Sequence, residues 1–92
     1  MENTRGRKFI EIASLESSAI EIVDKTYARL HQKGWGTFSS SHEILGIITE
    51  EYHELIDAVK SNNLDKVHEE LLDIAVACNI AIACYLQKTL EW

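Results

Sequence analysis

Fifteen of the 92 residues are Asp or Glu, and four of them recur in pairs three residues apart: Glu51 with Glu54, and Glu70 with Asp73. On an α-helix, residues three apart share a face, so each pair can direct two carboxylates at one point. At roughly 100° per residue, Glu51 and Glu54 fall at one edge of an apolar stripe of Ile48, Tyr52 and Leu55, alongside Ile47 and Ala58. Glu70 and Asp73 fall in line with Ala77, Ala81 and Cys84, small side chains that let another helix approach closely. Four carboxylates converging between packed helices repel one another and are costly to desolvate, so a cation is expected among them. Mg²⁺, or Mn²⁺, suits such an all-oxygen set, because no His or Cys converges with it to favour zinc. A lone acidic pair is more often a solvated helix face. Two pairs on facing helices, each bordering an apolar stripe, favour the metal.

The elements that must position these acids are helical. The chain has no proline and only four glycines, and no alternating run long enough to demand a strand. The first helix is expected from Ser14, as N-cap, to Lys33, buried through Ala19, Ile20, Val23, Tyr27 and Leu30 and stopped by Gly34. A Gly- and Ser-rich loop follows. The second helix opens on a capping box, Ser40-Ser41-His42-Glu43, buries Ile44, Ile48, Tyr52, Leu55 and Val59, and ends at Ser61-Asn62-Asn63. The third starts at Asn63, with Asp65 in its first turn, and runs to about Leu90. Its second half, Ile74 to Leu86, is apolar nearly all round, so a second protomer is expected to cover it. The expected fold is all-α: an antiparallel bundle of three main helices within one domain over residues 1–92, completed by oligomerisation.

Composition narrows the partners. A net charge of −6 disfavours nucleic-acid polymers and anionic lipid, which are bound by clustered Lys and Arg. Arg5, Arg7 and Lys8 precede an apolar stretch broken by Glu11, Glu16 and Glu21, so no targeting segment is read there. The Ile74–Leu86 run is too short to span a bilayer. Cys78 and Cys84, six apart, fit neither a CxxC motif nor a zinc pair and are expected as buried reduced thiols of a cytoplasmic protein. Glu50-x-x-His53 matches the spacing of a di-iron bundle and Asp65-x-x-His68 half matches it, but Glu50, His53 and Asp57 project away from the core.

The acidic pairs carry a resemblance. Glu50-Glu51-Tyr52-His53-Glu54, followed after a short helical hairpin by Glu70-Leu71-Leu72-Asp73, is similar to the EExxE and ExxD motifs of the MazG-like, all-α NTP pyrophosphohydrolases, which also include dimeric dUTPases and dCTP pyrophosphatases. The similarity spans about Trp35 to Leu86. It implies that Glu51, Glu54, Glu70 and Asp73 ligate Mg²⁺, that an NTP or dNTP is cleaved to the monophosphate and pyrophosphate, and that the active unit is a homodimer or homotetramer. Glu54, with Glu51, is the expected catalytic base. Trp35, flanked by Gly34 and Gly36, resembles a loop tryptophan of the family and stacks on a nucleobase or else plugs the bundle end. Lys33 is a candidate phosphate contact, or an exposed lysine at a helix end. The chain ends at Trp92, without the further helix and basic residues of longer relatives, which leaves the groups that meet the outer phosphates unassigned. The competing reading is a non-catalytic helical interaction or regulatory module on the same fold.

Overall fold

The structure, a computed structural model, describes residues 6–92, and Arg5 of the basic N-terminal group lies outside the described residues. Three helices form: α1, Ile12–Lys33; α2, Ser41–Lys60; and α3, Leu64–Leu86. Both α1 and α2 pack on α3. Glu21 meets His68 and Lys25 meets Asp73, so α1 and α3 ascend together while α2 descends. The described residues contain no strand, and an isolated bridge joins Ser40 and Glu91. The fold is all-α, with consecutive helices antiparallel.

Local chemistry explains most boundaries. The Ser40 hydroxyl accepts from the Glu43 N–H at 3.2 Å, and the Glu43 carboxylate reaches back to the Ser39 N–H and hydroxyl, one residue before the expected Ser40. Asn63 caps α3 through the Lys66 N–H at 3.1 Å. Gly34 stops α1 at φ 104°, a backbone region that L side chains rarely adopt, with its N–H on the Leu30 carbonyl. Two boundaries differ from expectation. Helix α1 starts at Ile12 with Glu11 as cap, since the Leu15 N–H already bonds the Glu11 carbonyl at 3.1 Å, so Ser14 is interior rather than an N-cap. Helix α3 stops at Leu86 rather than Leu90: Lys88 turns to φ 63°, Thr89 N–H bonds the Cys84 carbonyl, and the tail folds back until Glu91 accepts from the Ser41 N–H at 2.8 Å.

That tail brings Leu90 against a core of Phe38, Val76, Ile80 and Cys84, to which Leu30, Ile44, Ile47 and Ala81 add partly buried flanks. The expected stripes are rotated. On α1 the buried residue is Thr26, whose hydroxyl accepts from the Asn79 amide at 3.1 Å, while Ile20, Val23 and Tyr27 are exposed. On α2 the packed face runs through Ile44, Ile47 and Ala58, and Tyr52 and Val59 are exposed. Glu51 therefore lies nearer the centre of the α2 contact face, while Glu54 stays at its exposed edge. Leu64, Leu71, Ile82, Tyr85 and Leu86 of α3 remain exposed, as does every residue of α1 from Ile12 to Ile20.

Candidate metal centre

The antiparallel α2–α3 hairpin sets the two acidic pairs face to face. One carboxylate oxygen from each of Glu51, Glu54, Glu70 and Asp73 lies within 4.8 Å of the other three. Glu70 is 2% exposed, Glu51 and Asp73 are half-buried, and Glu54 stands at the open side. Neither His53 nor His68 joins this group: His53 lies beside the Tyr52 ring, and His68 pairs with Glu21 at 3.3 Å. Glu50, His53 and Asp57 are exposed, as their helical phase predicts.

The charge is only partly offset. Lys25 Nζ of α1 meets Asp73 Oδ1 at 3.0 Å, and Lys66 Nζ, one turn before Glu70 on α3, meets Glu70 Oε1 at 3.2 Å and Glu69 at 3.3 Å. Those carboxylates hold the Lys66 ammonium above its usual range, the Glu70 hydrogen bond first. Glu51 Oε2 and Glu70 Oε2 are buried and have no hydrogen-bond partner. Desolvation raises the Glu51 pKa, and the charges of Asp73 and Glu70 push the same way, against smaller opposing effects from a hydrogen bond with Glu54 and then from Arg29. Glu54 is also raised, chiefly because a hydrogen bond to Glu70 favours its protonated form and then because of the Glu51 and Glu70 charges. Two buried oxygens lacking donors, among four hard oxygen ligands, are the chemistry that a divalent cation satisfies, and the residues fit Mg²⁺ or Mn²⁺.

The structure separates the other two expected site residues. Lys33 lines a cleft of about 210 Å³ with Lys25, Arg29, Glu51 and Asp73, so it does face the acids. Trp35 does not. It packs against Tyr27 and His31, with ring centroids 6.1 and 5.4 Å away, and lines a different cleft of about 340 Å³ with Leu30, Asn79 and Ile80. A smaller cleft walled by Leu30, Lys33, Gly36 and Ile80 shares residues with both. Lys25, Arg29 and Lys66 did not emerge from the sequence reading, although their signals were present: four-residue steps from Lys25 through Arg29 to Lys33, and from Lys66 to Glu70.

Residues 39–88, more than half of the chain and including both acidic pairs, match the family model described as the MazG nucleotide pyrophosphohydrolase domain. No curated protein and no solved structure matches the chain.

Proposed function

The chain belongs to the MazG nucleotide pyrophosphohydrolase family, and from that premise we propose that it is a Mg²⁺-dependent enzyme cleaving a nucleoside triphosphate, ribo- or deoxyribo-, to the monophosphate and pyrophosphate, in a role of cleansing the nucleotide pool. The observation that carries the reading is the convergence of Glu51, Glu54, Glu70 and Asp73 within 4.8 Å, with two buried oxygens lacking donors.

These four residues would hold the metal. When bound, Mg²⁺ supplies charge compensation for phosphate oxygens and lowers the pKa of a water nucleophile. The hairpin fixes the ligands on two packed helices, so little reorganisation accompanies the reaction. Glu54 sits at the open side with a raised pKa, which suits a carboxylate that takes a proton from the attacking water at its Oε atoms and releases it to solvent. Glu51, half-buried behind it, supports that role as ligand and electrostatic neighbour. In-line attack releases pyrophosphate. Lys33 meets the phosphate chain, and Trp35, exposed at the rim of the adjoining cleft, offers a ring on which a base can stack. A second copy of the chain would cover the exposed apolar face of α3, giving a homodimer or homotetramer.

The test is a panel of ribo- and deoxyribonucleoside triphosphates incubated with Mg²⁺, scored for pyrophosphate and monophosphate. Release of both from at least one substrate, abolished by a chelator, is expected. Orthophosphate as the sole product would mean cleavage at the terminal phosphate and overturn the pyrophosphohydrolase reading, and no turnover together with no Mg²⁺ binding would replace it with the interaction-module one.

A further inference from the structure

Three of the nine Lys and Arg residues of the chain, Lys25, Arg29 and Lys33, stand at successive four-residue steps on α1, one face of a helix spanning about 12 Å. That face is turned toward the carboxylates. All three line the 210 Å³ cleft whose far walls are Glu51, Asp73 and Val76, and Arg29 and Lys33 continue into the smaller cleft against Gly34, Gly36 and Phe38. Only Lys25 has a carboxylate partner, Asp73; among the described residues Arg29 and Lys33 have none within ion-pair distance. The Arg29 guanidinium instead lies 5.9 Å over the ring of Phe38, itself buried, which steadies the planar fork at the mouth of the cleft.

Charge balance says what such a face is for. Two divalent ions would cancel four ionised carboxylates and leave nothing over for the substrate. A triphosphate brings about four negative charges near neutral pH, since its terminal phosphate has a second pKa near 6. Three cations one turn apart, bordering the same cleft, offset most of that excess, and the fork of Arg29 suits bidentate contact with phosphate oxygens. The ligand must be compact, because the net charge of −6 repels an extended polyanion.

We propose that Lys25, Arg29 and Lys33 form the binding face for the phosphate chain of the substrate, with Lys25 exchanging Asp73 for phosphate when the metal takes up that carboxylate. The proposal rests on the pyrophosphohydrolase reading and assigns a role to α1, which lies outside the matched residues 39–88.

The probe is inorganic pyrophosphate, titrated calorimetrically into the full chain in excess Mg²⁺ and compared among wild type, Arg29→Ala, Arg29→Lys, Lys33→Ala and a control, Lys60→Ala. Mg²⁺ alone is titrated into each protein. A charge-assisted contact to phosphate predicts roughly 10- to 100-fold weaker pyrophosphate binding for Arg29→Ala, a smaller loss for Arg29→Lys and Lys33→Ala, none for Lys60→Ala, and unchanged Mg²⁺ affinity throughout. Equal pyrophosphate affinity in wild type, Arg29→Ala and Lys33→Ala, or no pyrophosphate binding by the wild type, overturns the proposal. A nucleotide assay on the same proteins separates the two levels. Turnover with unaltered KM in both alanine variants removes the phosphate face and leaves the enzyme, whereas pyrophosphate binding through Arg29 without nucleotide turnover keeps the face and removes the enzyme.

Discussion

Substituting Glu70→Gln separates a structural acid from a metal ligand. Glu70 is 2% exposed, has one oxygen on Lys66 and leaves the other without a donor. If Glu70 served the fold alone, removing its charge would lower stability with or without Mg²⁺. The geometry argues otherwise, because Lys66 keeps Glu69 at 3.3 Å after the change and the new amide can donate to Glu51 or Glu54. Two unit charges within 4.8 Å repel by about 3 kcal/mol at an effective dielectric of 20. Water at the half-exposed Glu51 reduces the relief to roughly 1 kcal/mol, worth about 4 to 8 °C in a chain of this size. The metal-free variant should therefore melt no lower than the metal-free wild type. Mg²⁺ at ten times its Kd stabilises the wild type by about 1.4 kcal/mol and should stabilise the variant much less. Pyrophosphate release should fall at least about a hundredfold. The measurement is thermal melts of both proteins with and without Mg²⁺, plus one turnover assay. A variant destabilised without Mg²⁺, yet keeping the wild-type response to the ion and the wild-type rate, would refute the reasoning.

The raised pKa values of Glu51 and Glu54 mean that the folded chain holds these protons more tightly than the unfolded chain, so stability of the metal-free protein falls as pH rises from the ordinary value of 4.5 through the raised ones. Mg²⁺ competes with those protons, so the gap between melts with and without Mg²⁺ should widen over that window; a constant gap would count against a shared site. Trp35→Ala should raise KM roughly 5- to 100-fold if a base stacks there, with little change in Tm because the ring is 58% exposed; a large drop in Tm with unaltered KM would make it a plug on Tyr27 and His31. Light scattering at micromolar concentration should return at least twice the 10.5 kDa chain mass, and an active, monodisperse monomer would contradict that.

The sequence carried the helices and the acidic site because both depend on short-range periodicity. Three-residue spacing put the carboxylates on facing sides of a hairpin, and Ser40, Asn63 and Gly34 marked three helix ends by local hydrogen bonding or backbone preference. The buried faces were harder to read. Thr26, polar by type, is buried because its hydroxyl bonds the Ile22 carbonyl and accepts from Asn79, a partner 53 residues away. Tyr27 and Val23, apolar by type, remain exposed. The last turn of α3 was over-extended because the competing arrangement, a tail bonded to Ser41, is a long-range pairing that helical propensity does not report. The four-residue steps of Lys25 and Arg29 are visible in the sequence but gain meaning only from what α1 faces, which is again a long-range arrangement.

The ion pairs also bear on how an acid cluster stays folded without metal. Lys25 pairs with Asp73 and Lys66 with Glu70, while the raised pKa values of Glu51 and Glu54 mean that the cluster holds protons more tightly, Glu54 chiefly through its hydrogen bond to Glu70 and Glu51 chiefly through desolvation. Two ammonium groups and one held proton offset three of the four carboxylate charges and leave one uncompensated. These counter-charges are in place without an ion, unlike sites whose ligands come together only around one. The cost falls on affinity: an entering Mg²⁺ would compete with Lys25 for Asp73 and with the protons held by Glu51 and Glu54, while the Glu70 oxygen without a donor stays open to it. A triphosphate entering with the ion reverses part of that cost, since it supplies new partners for Lys25 as Asp73 turns to the metal. On this scheme metal and substrate bind cooperatively, each more tightly in the presence of the other, and the coupling runs through the one lysine of α1 that touches the cluster directly.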